Sequence, residues 1–326
     1  MRAVHVCCAL ALVIAPPARA GELTELGPVA FKGEIFKSEN ISGLGVVGDL
    51  LVIGADEGDR VQVLKHDGDR YRLVGDVVLG EGGKEVDIEG IACAGNTVYV
   101  MGSHSGRRAK VDEANTYEKN RELIATSGPE PSRDRVFRFT LDHRGQASGV
   151  EATSLRPVID RDPILRTFRE VPGKENGVDI EGVAAEGDRL YAGFRGPVLR
   201  GNYTPVLKFS FVDAADEAEL LFVDMGGRGV RDLTRVKGGL LVLAGPVGDG
   251  PGSFQLYFWD GRDSLPGLRA GGARGRILRL CEVPARDGAK AEGVAVLRET
   301  DSAYELLIVY DGLKDGGATR FRLTKP

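Results

Sequence analysis

The chain has 326 residues, with 43 Lys and Arg against 48 Asp and Glu and a net charge of −5. That balance argues against nucleic acid or an anionic membrane as partner, because both require basic surface. No stretch reaches the roughly 18 uninterrupted apolar residues of a membrane helix, and four cysteines are too few for a disulfide-dense scaffold.

Residues 1–20 read as an export signal. Arg2 supplies the positive start, Val6 to Ala15 the apolar run, and Ala18-Arg19-Ala20 a small-x-small cleavage site. Removing this segment takes Cys7 and Cys8 with it and leaves Cys93 and Cys281, expected as isolated buried thiols. Loss of Arg2 and Arg19 moves the net charge from −5 to −7. The expected product is residues 21–326 as one domain, periplasmic or extracellular, with no membrane insertion.

Five segments then repeat one pattern of polar turn, β-rich run, tight turn, second β-rich run and Gly/Asp-rich loop. They read ENISGLGVVGDLLVIGADEGD from Glu39, VDIEGIACAGNTVYVMGSHSG from Val86 and VDIEGVAAEGDRLYAGFRGPV from Val178. GVRDLTRVKGGLLVLAGPVGDG follows from Gly229 and AKAEGVAVLRETDSAYELLIVYDGLKDGG from Ala289. Ser42, Glu89, Glu181, Asp232 and Glu292 match, at spacings of 47, 92, 51 and 60 residues. The long interval is read as an insertion, because residues 106–134 are polar and lack alternation, whereas RVFRFTLD and GVEATSL supply the outer strands of the second unit. Residues 156–177 read as a connector with a helical turn. The fold class is therefore all-β, a β-propeller of five four-stranded blades, with six blades as the alternative. The last unit lacks one strand, and VAFKGEIF from Val29 is expected to supply it by pairing N- and C-terminal strands.

In such a blade, the start of the inner strand and the loop between the second and third strands share a face. That rim is expected to gather Asp87, Glu89, Asp179, Glu181, Asp232 and Glu292 with Arg195, His104, Asp56, Asp311 and Asp315. Repelling carboxylates need a counterbalance. Arg195, Arg231 and Lys290 at the same level offer a structural ring of ion pairs. Ca²⁺ held by Asp87, Glu89, Asp179 and Glu181 is the metal alternative. Arg195, Arg231, Ser103, Asp232 and Glu292 are the expected ligand-binding set. Glu89, Glu181 and His104 of GSHSG are the candidate proton carriers. The insertion at 106–134 is a candidate lid.

Gly43-x-Gly45-x-x-Gly48 fits the dinucleotide pattern but precedes the strand DLLVIGA and not a helix, so it is discounted. P-loop, H-E-x-x-H and C-x-x-C motifs are missing from the sequence. The ordered series DIEG…MGSHSG, DIEGVA…GFRGPV, GRGVRDL…LAGP…LYFWDG and AEGVAV…YDG resembles the bacterial family known as domain of unknown function 3616, from about Phe31 to Leu323. That resemblance implies a propeller and brings no assigned reaction. Its E-G-[IVL]-A repeats are also loosely similar to exported esterase-like phytase propellers. The opening turn ENISGLG departs from the more D-A-S-like sequence the family implies, so the first blade is expected to contribute less to any site. Three functions follow as expectations: binding of a small polar molecule or cation, metal-assisted hydrolysis of phosphate esters or lactones, and a scaffold for a protein partner.

Overall fold

The computed structural model describes residues 21–80, 82–267, 273–286 and 288–326. The export-signal reading of residues 1–20, with Cys7 and Cys8, lies outside them. The chain opens with β1 (Leu23–Pro28) and β2 (Ala30–Lys32). The first blade is β3 (Ile41–Val47), β4 (Leu50–Ala55), β5 (Arg60–Asp67) and β6 (Arg70–Val78). The second starts with β7 (Ile88–Ala94) and β8 (Thr97–Gly102). An insert follows, made of β9 (Gly106–Arg108), α1 (Tyr117–Ala125) and β10 (Ser127–Pro129). β11 (Val136–Leu141) and β12 (Ala147–Thr153) complete that blade, and α2 (Arg156–Arg161) leads to the third.

β13 (Asp179–Glu186), β14 (Arg189–Gly196), β15 (Tyr203–Ser210) and β16 (Glu219–Asp224) form the third blade. β17 (Gly229–Val236), β18 (Gly239–Gly245), β19 (Gln255–Trp259) and β20 (Ile277–Glu282) form the fourth. The fifth is β21 (Lys290–Glu299), β22 (Ala303–Asp311) and β23 (Thr319–Thr324), with β1 at its outer edge. The inner strands touch in a closed cycle, β3 to β7 to β13 to β17 to β21 and back to β3. Five blades therefore close a ring.

Strands buried on both faces read as continuous apolar runs, as LLVIGA of β4 and GLLVLAG of β18 do. Their core is divided among five wedges, each shared by two neighbouring blades. The glycine of D-I-E-G sets how closely the inner strands approach. A Cβ on Gly90 would stand 2.8 Å from the Val183 amide nitrogen, and one on Gly182 would stand 2.7 Å from Cα of Asp232.

Two sequence expectations change. The strand that closes the ring is β1, which pairs antiparallel with β23 from Leu23↔Leu323 to Pro28↔Thr319. The Val29 segment instead lays β2 parallel on β6 of the first blade, because Phe31 is buried there edge-on to Tyr71 at 6.4 Å. The insertion is also more ordered than a loop: β9 and β10 pair as a small ribbon that carries α1. Among the described residues, no helix is long and apolar enough to cross a membrane.

Candidate functional site

Every inner strand carries a bulge at the same level, where one residue has no partner in the ladder. The skipped residues are Ser42, Glu89, Glu181, Arg231 and Glu292. A bulge re-aims its side chain, and here Glu89, Glu181 and Glu292 line a cavity of about 550 Å³ at the wider end of the axis. The fourth repeat thus aligns one residue earlier than the sequence reading placed it. Arg231 stands at the glutamate level, and Asp232 takes the place of the close-approach glycine. Asp232 is buried and bridges blades, accepting from Leu233 N–H and Val294 N–H at 2.7 Å each.

Most of the rim charge is already paired. Arg195 binds Asp179 and, at 2.5 Å, Glu181. Arg231, with only 2% of its side chain exposed, reaches Glu181 at 2.8 Å and also binds Glu292. Acid and base therefore alternate from the third blade to the fifth. Arg133 joins Glu85 and, at 2.9 Å, Asp87. Arg108 of the insert binds Glu175 across the mouth. The Nε atoms of Arg195 and Arg231 are buried without a hydrogen-bond partner, and Oε2 of Glu181 has the Arg231 ion contact and no hydrogen bond, a cost that this chain of charges absorbs.

Three lining carboxylates have no ion pair among the described residues: Glu89, Asp56 and Asp311. Burial, with Glu181, Asp87, Glu292 and Asp56 nearby, pushes Glu89 well above the usual carboxylate range. Burial and the charges of Glu292, Asp311 and Asp87 push Asp56 up to about 7. Asp311 rises through burial and the charge of Glu292, against the pull of Lys290, Arg231 and Lys174. Burial also raises Asp87 to about 6 against the pull of Arg133, and Glu181 to about 8 against Arg195 and Arg231. Among the described residues, no group of three His, Cys, Asp or Glu stands close enough to hold a metal ion, and the guanidinium groups occupy the acids that were the calcium candidates on the third blade.

The structure brings Asp56, Asp87, Glu89, Asp179, Glu181, Arg195, Glu292 and Asp311 together at the cavity as expected from the repeats. His104, Ser103 and Asp315 do not line it. His104 is fully buried, with Nδ1 2.8 Å from the Gly102 carbonyl and Nε2 accepting from Leu155 N–H at 3.1 Å. This fixes a neutral ring, and burial pushes it down to about 4. It orders the turn behind the rim and presents no free nitrogen to the cavity. Ser103 is likewise buried, 2.9 Å from the Ser105 hydroxyl, and Ser105 is the residue that faces the cavity.

Glu85, Arg133, Lys174, Asp249 and the insert residues Arg107, Arg108 and Lys110 also line the cavity. The repeat pattern does not mark them, because they sit in connections whose lengths vary. At the opposite end, a separate cavity of about 140 Å³ is lined by Leu44, Ile91 and Leu233 and by Cys93. Cys93 and Cys281 are both free, and burial pushes each thiol up to about 12.

No curated protein matches the chain. Among solved structures it is similar to the PQQ-bound aldose sugar dehydrogenase of Streptomyces coelicolor, at 13% identity over 95% of this chain and 99% of that one, with a TM-score of 0.44. It is similar to the glutaminyl cyclase of Myxococcus xanthus at 10% identity over 94% and 97%, TM-score 0.49. It is also similar to the computationally designed Ika4 protein at 13% identity over 71% and 96%, TM-score 0.31. A family model described as protein of unknown function (DUF3616) matches residues 40–320. The chain belongs to the DUF3616 family.

Proposed function

We propose that this is an exported propeller that binds a small polar molecule or cation in its axial cavity. The composition of residues 1–20 supports export. One observation carries the binding reading: Glu89, Asp56 and Asp311 face a cavity of about 550 Å³ without an ion pair, while neighbouring acids are held by arginine. Desolvated carboxylates that repel one another destabilise the empty site, and an incoming positive charge or set of hydroxyl donors relieves that repulsion.

Thermal melts with Ca²⁺, a diamine and a hexose test this. At a hundredfold excess over Kd, a bound probe is expected to stabilise the protein by about 2.7 kcal/mol. That gain should fall away in Glu89→Gln and Asp311→Asn. If none of the three raises the midpoint, the reading is wrong.

Asp87 favours a second reading, since a carboxyl raised to about 6 lies within the working range of a general acid. Hydrolysis of an aryl phosphate or lactone that disappears in Asp87→Asn, with the fold intact, would establish it.

A further inference from the structure

A third cavity, of about 310 Å³, lies between the fourth and fifth blades and shares Asp249 and Lys290 with the larger axial one. Its walls are Phe254 and the Pro246–Ser253 loop on one side, and Pro284, Ala285 and Tyr310 on the other. The lining is mainly apolar. Its cations are already committed, Arg231 to Glu181 and Glu292, Arg286 to Glu25 at 2.8 Å, and Lys290 to Asp249 at 3.5 Å. Arg231 and Arg286 lie over the rings of Phe254 and Tyr310, at 5.7 and 5.6 Å from the centroids. Phe254 is half-buried and leaves an aromatic edge open to the groove, buried Tyr310 backs it, and each lining cation already has an acidic partner, which suits a flat apolar ring better than an ion.

The partition between the two cavities is slight. Asp249 is 63% exposed, and its contacts with Lys174 and Lys290 are both 3.5 Å long. Exposed pairs of this kind contribute at most about 1 kcal/mol. On one side lie three carboxylates without an ion pair among the described residues, and on the other an apolar slot.

We propose that the two cavities form one bipartite site for an organic amine carrying a planar apolar ring, its ammonium group held by Asp311 and Asp56 and its ring in the groove between the fourth and fifth blades. This rests on the binding reading above and narrows it to one ligand class.

Calorimetric titration of the full chain with phenylalkylamines, from benzylamine to phenylbutylamine, is compared with the matching alkylamines. At least one ring-bearing amine is expected to bind tenfold or more tighter than its alkyl counterpart, about the value of burying a phenyl ring. Phe254→Ala removes one wall of the groove. Ala285→Trp, at an exposed position, covers it and avoids the core. Each should abolish the ring advantage and leave alkylamine affinity unchanged, whereas Asp311→Asn should weaken both series. Equal affinity for the two series, or an advantage that survives Ala285→Trp, overturns the groove assignment and leaves the binding reading standing. Stabilisation by Ca²⁺ or hexose with no amine binding does the same. A phenylalkanoate that binds as tightly as the amine overturns the charge assignment. If no amine, metal or sugar binds, both readings fail.

Discussion

Asp56 shows how a single rim carboxylate shapes the response to pH. Its value in the folded protein is raised to about 7 from an ordinary value near 3.8, first by burial and then by Glu292, Asp311 and Asp87. Between these values the folded state binds more protons than the unfolded one, so stability falls as pH rises through that interval. In Asp56→Asn, the stability gain over wild type should be near zero at about pH 4, grow to about pH 7 and then level off. Urea midpoints across that range check it, and a gain that shrinks with rising pH contradicts it. Arg231 has the opposite role, because its charge is what makes Glu181 and Glu292 tolerable. Arg231→Met leaves those two acids buried without it and should cost about 3–5 kcal/mol, read from the same midpoints.

At the scale of elements, the insert between β8 and β11 divides into parts that matter and parts that do not. The ribbon of β9 and β10 brings Arg107 and Arg108 to the cavity. Helix α1 buries no residue, and Tyr117 is 73% exposed. Its neck is closed by Ala109 N–H donating to the Thr126 carbonyl at 2.9 Å. Replacing residues 111–125 with a short Gly-Ser turn, which keeps the lining residue Lys110, is expected to change stability by less than about 1 kcal/mol in chemical denaturation.

The blades themselves were readable from sequence because strands packed on both faces leave apolar runs bounded by Gly-Asp turns, as at Gly48-Asp49 before β4 and Gly187-Asp188 before β14. The register of the fourth repeat was not, since in GVRDL either Arg231 or Asp232 can match the glutamate level. A bulge settles the matter, and a bulge leaves no mark in composition. His104 looked chemical for its neighbours in GSHSG, yet the backbone amide that occupies its Nε2 belongs to Leu155, beyond any local motif. The groove of Phe254 and Tyr310 joins residues far apart in sequence and had no local signal at all.

At the scale of the molecule, stability is shared around a ring with no central core. Each of the five wedges belongs to two blades, and the last is completed only when β23 meets β1. That closure sits at the outer edge of the fifth blade, away from the cavity, and no lining residue of the cavity lies on either strand. Glu22 N–H donates to the Thr324 hydroxyl at 2.8 Å, and Thr324 N–H returns to the Glu22 carbonyl at 3.0 Å.

Position 21 and position 324 are therefore neighbours in space although they stand near opposite ends of the described chain. The seam is a clasp held by non-covalent bonds, and it invites re-cutting. A circular permutant that links position 326 to position 21 through a few glycines and opens inside residues 111–125 should keep the same circular dichroism and the same ligand response. Its unfolding should slow, because a covalent link then holds β1 against β23.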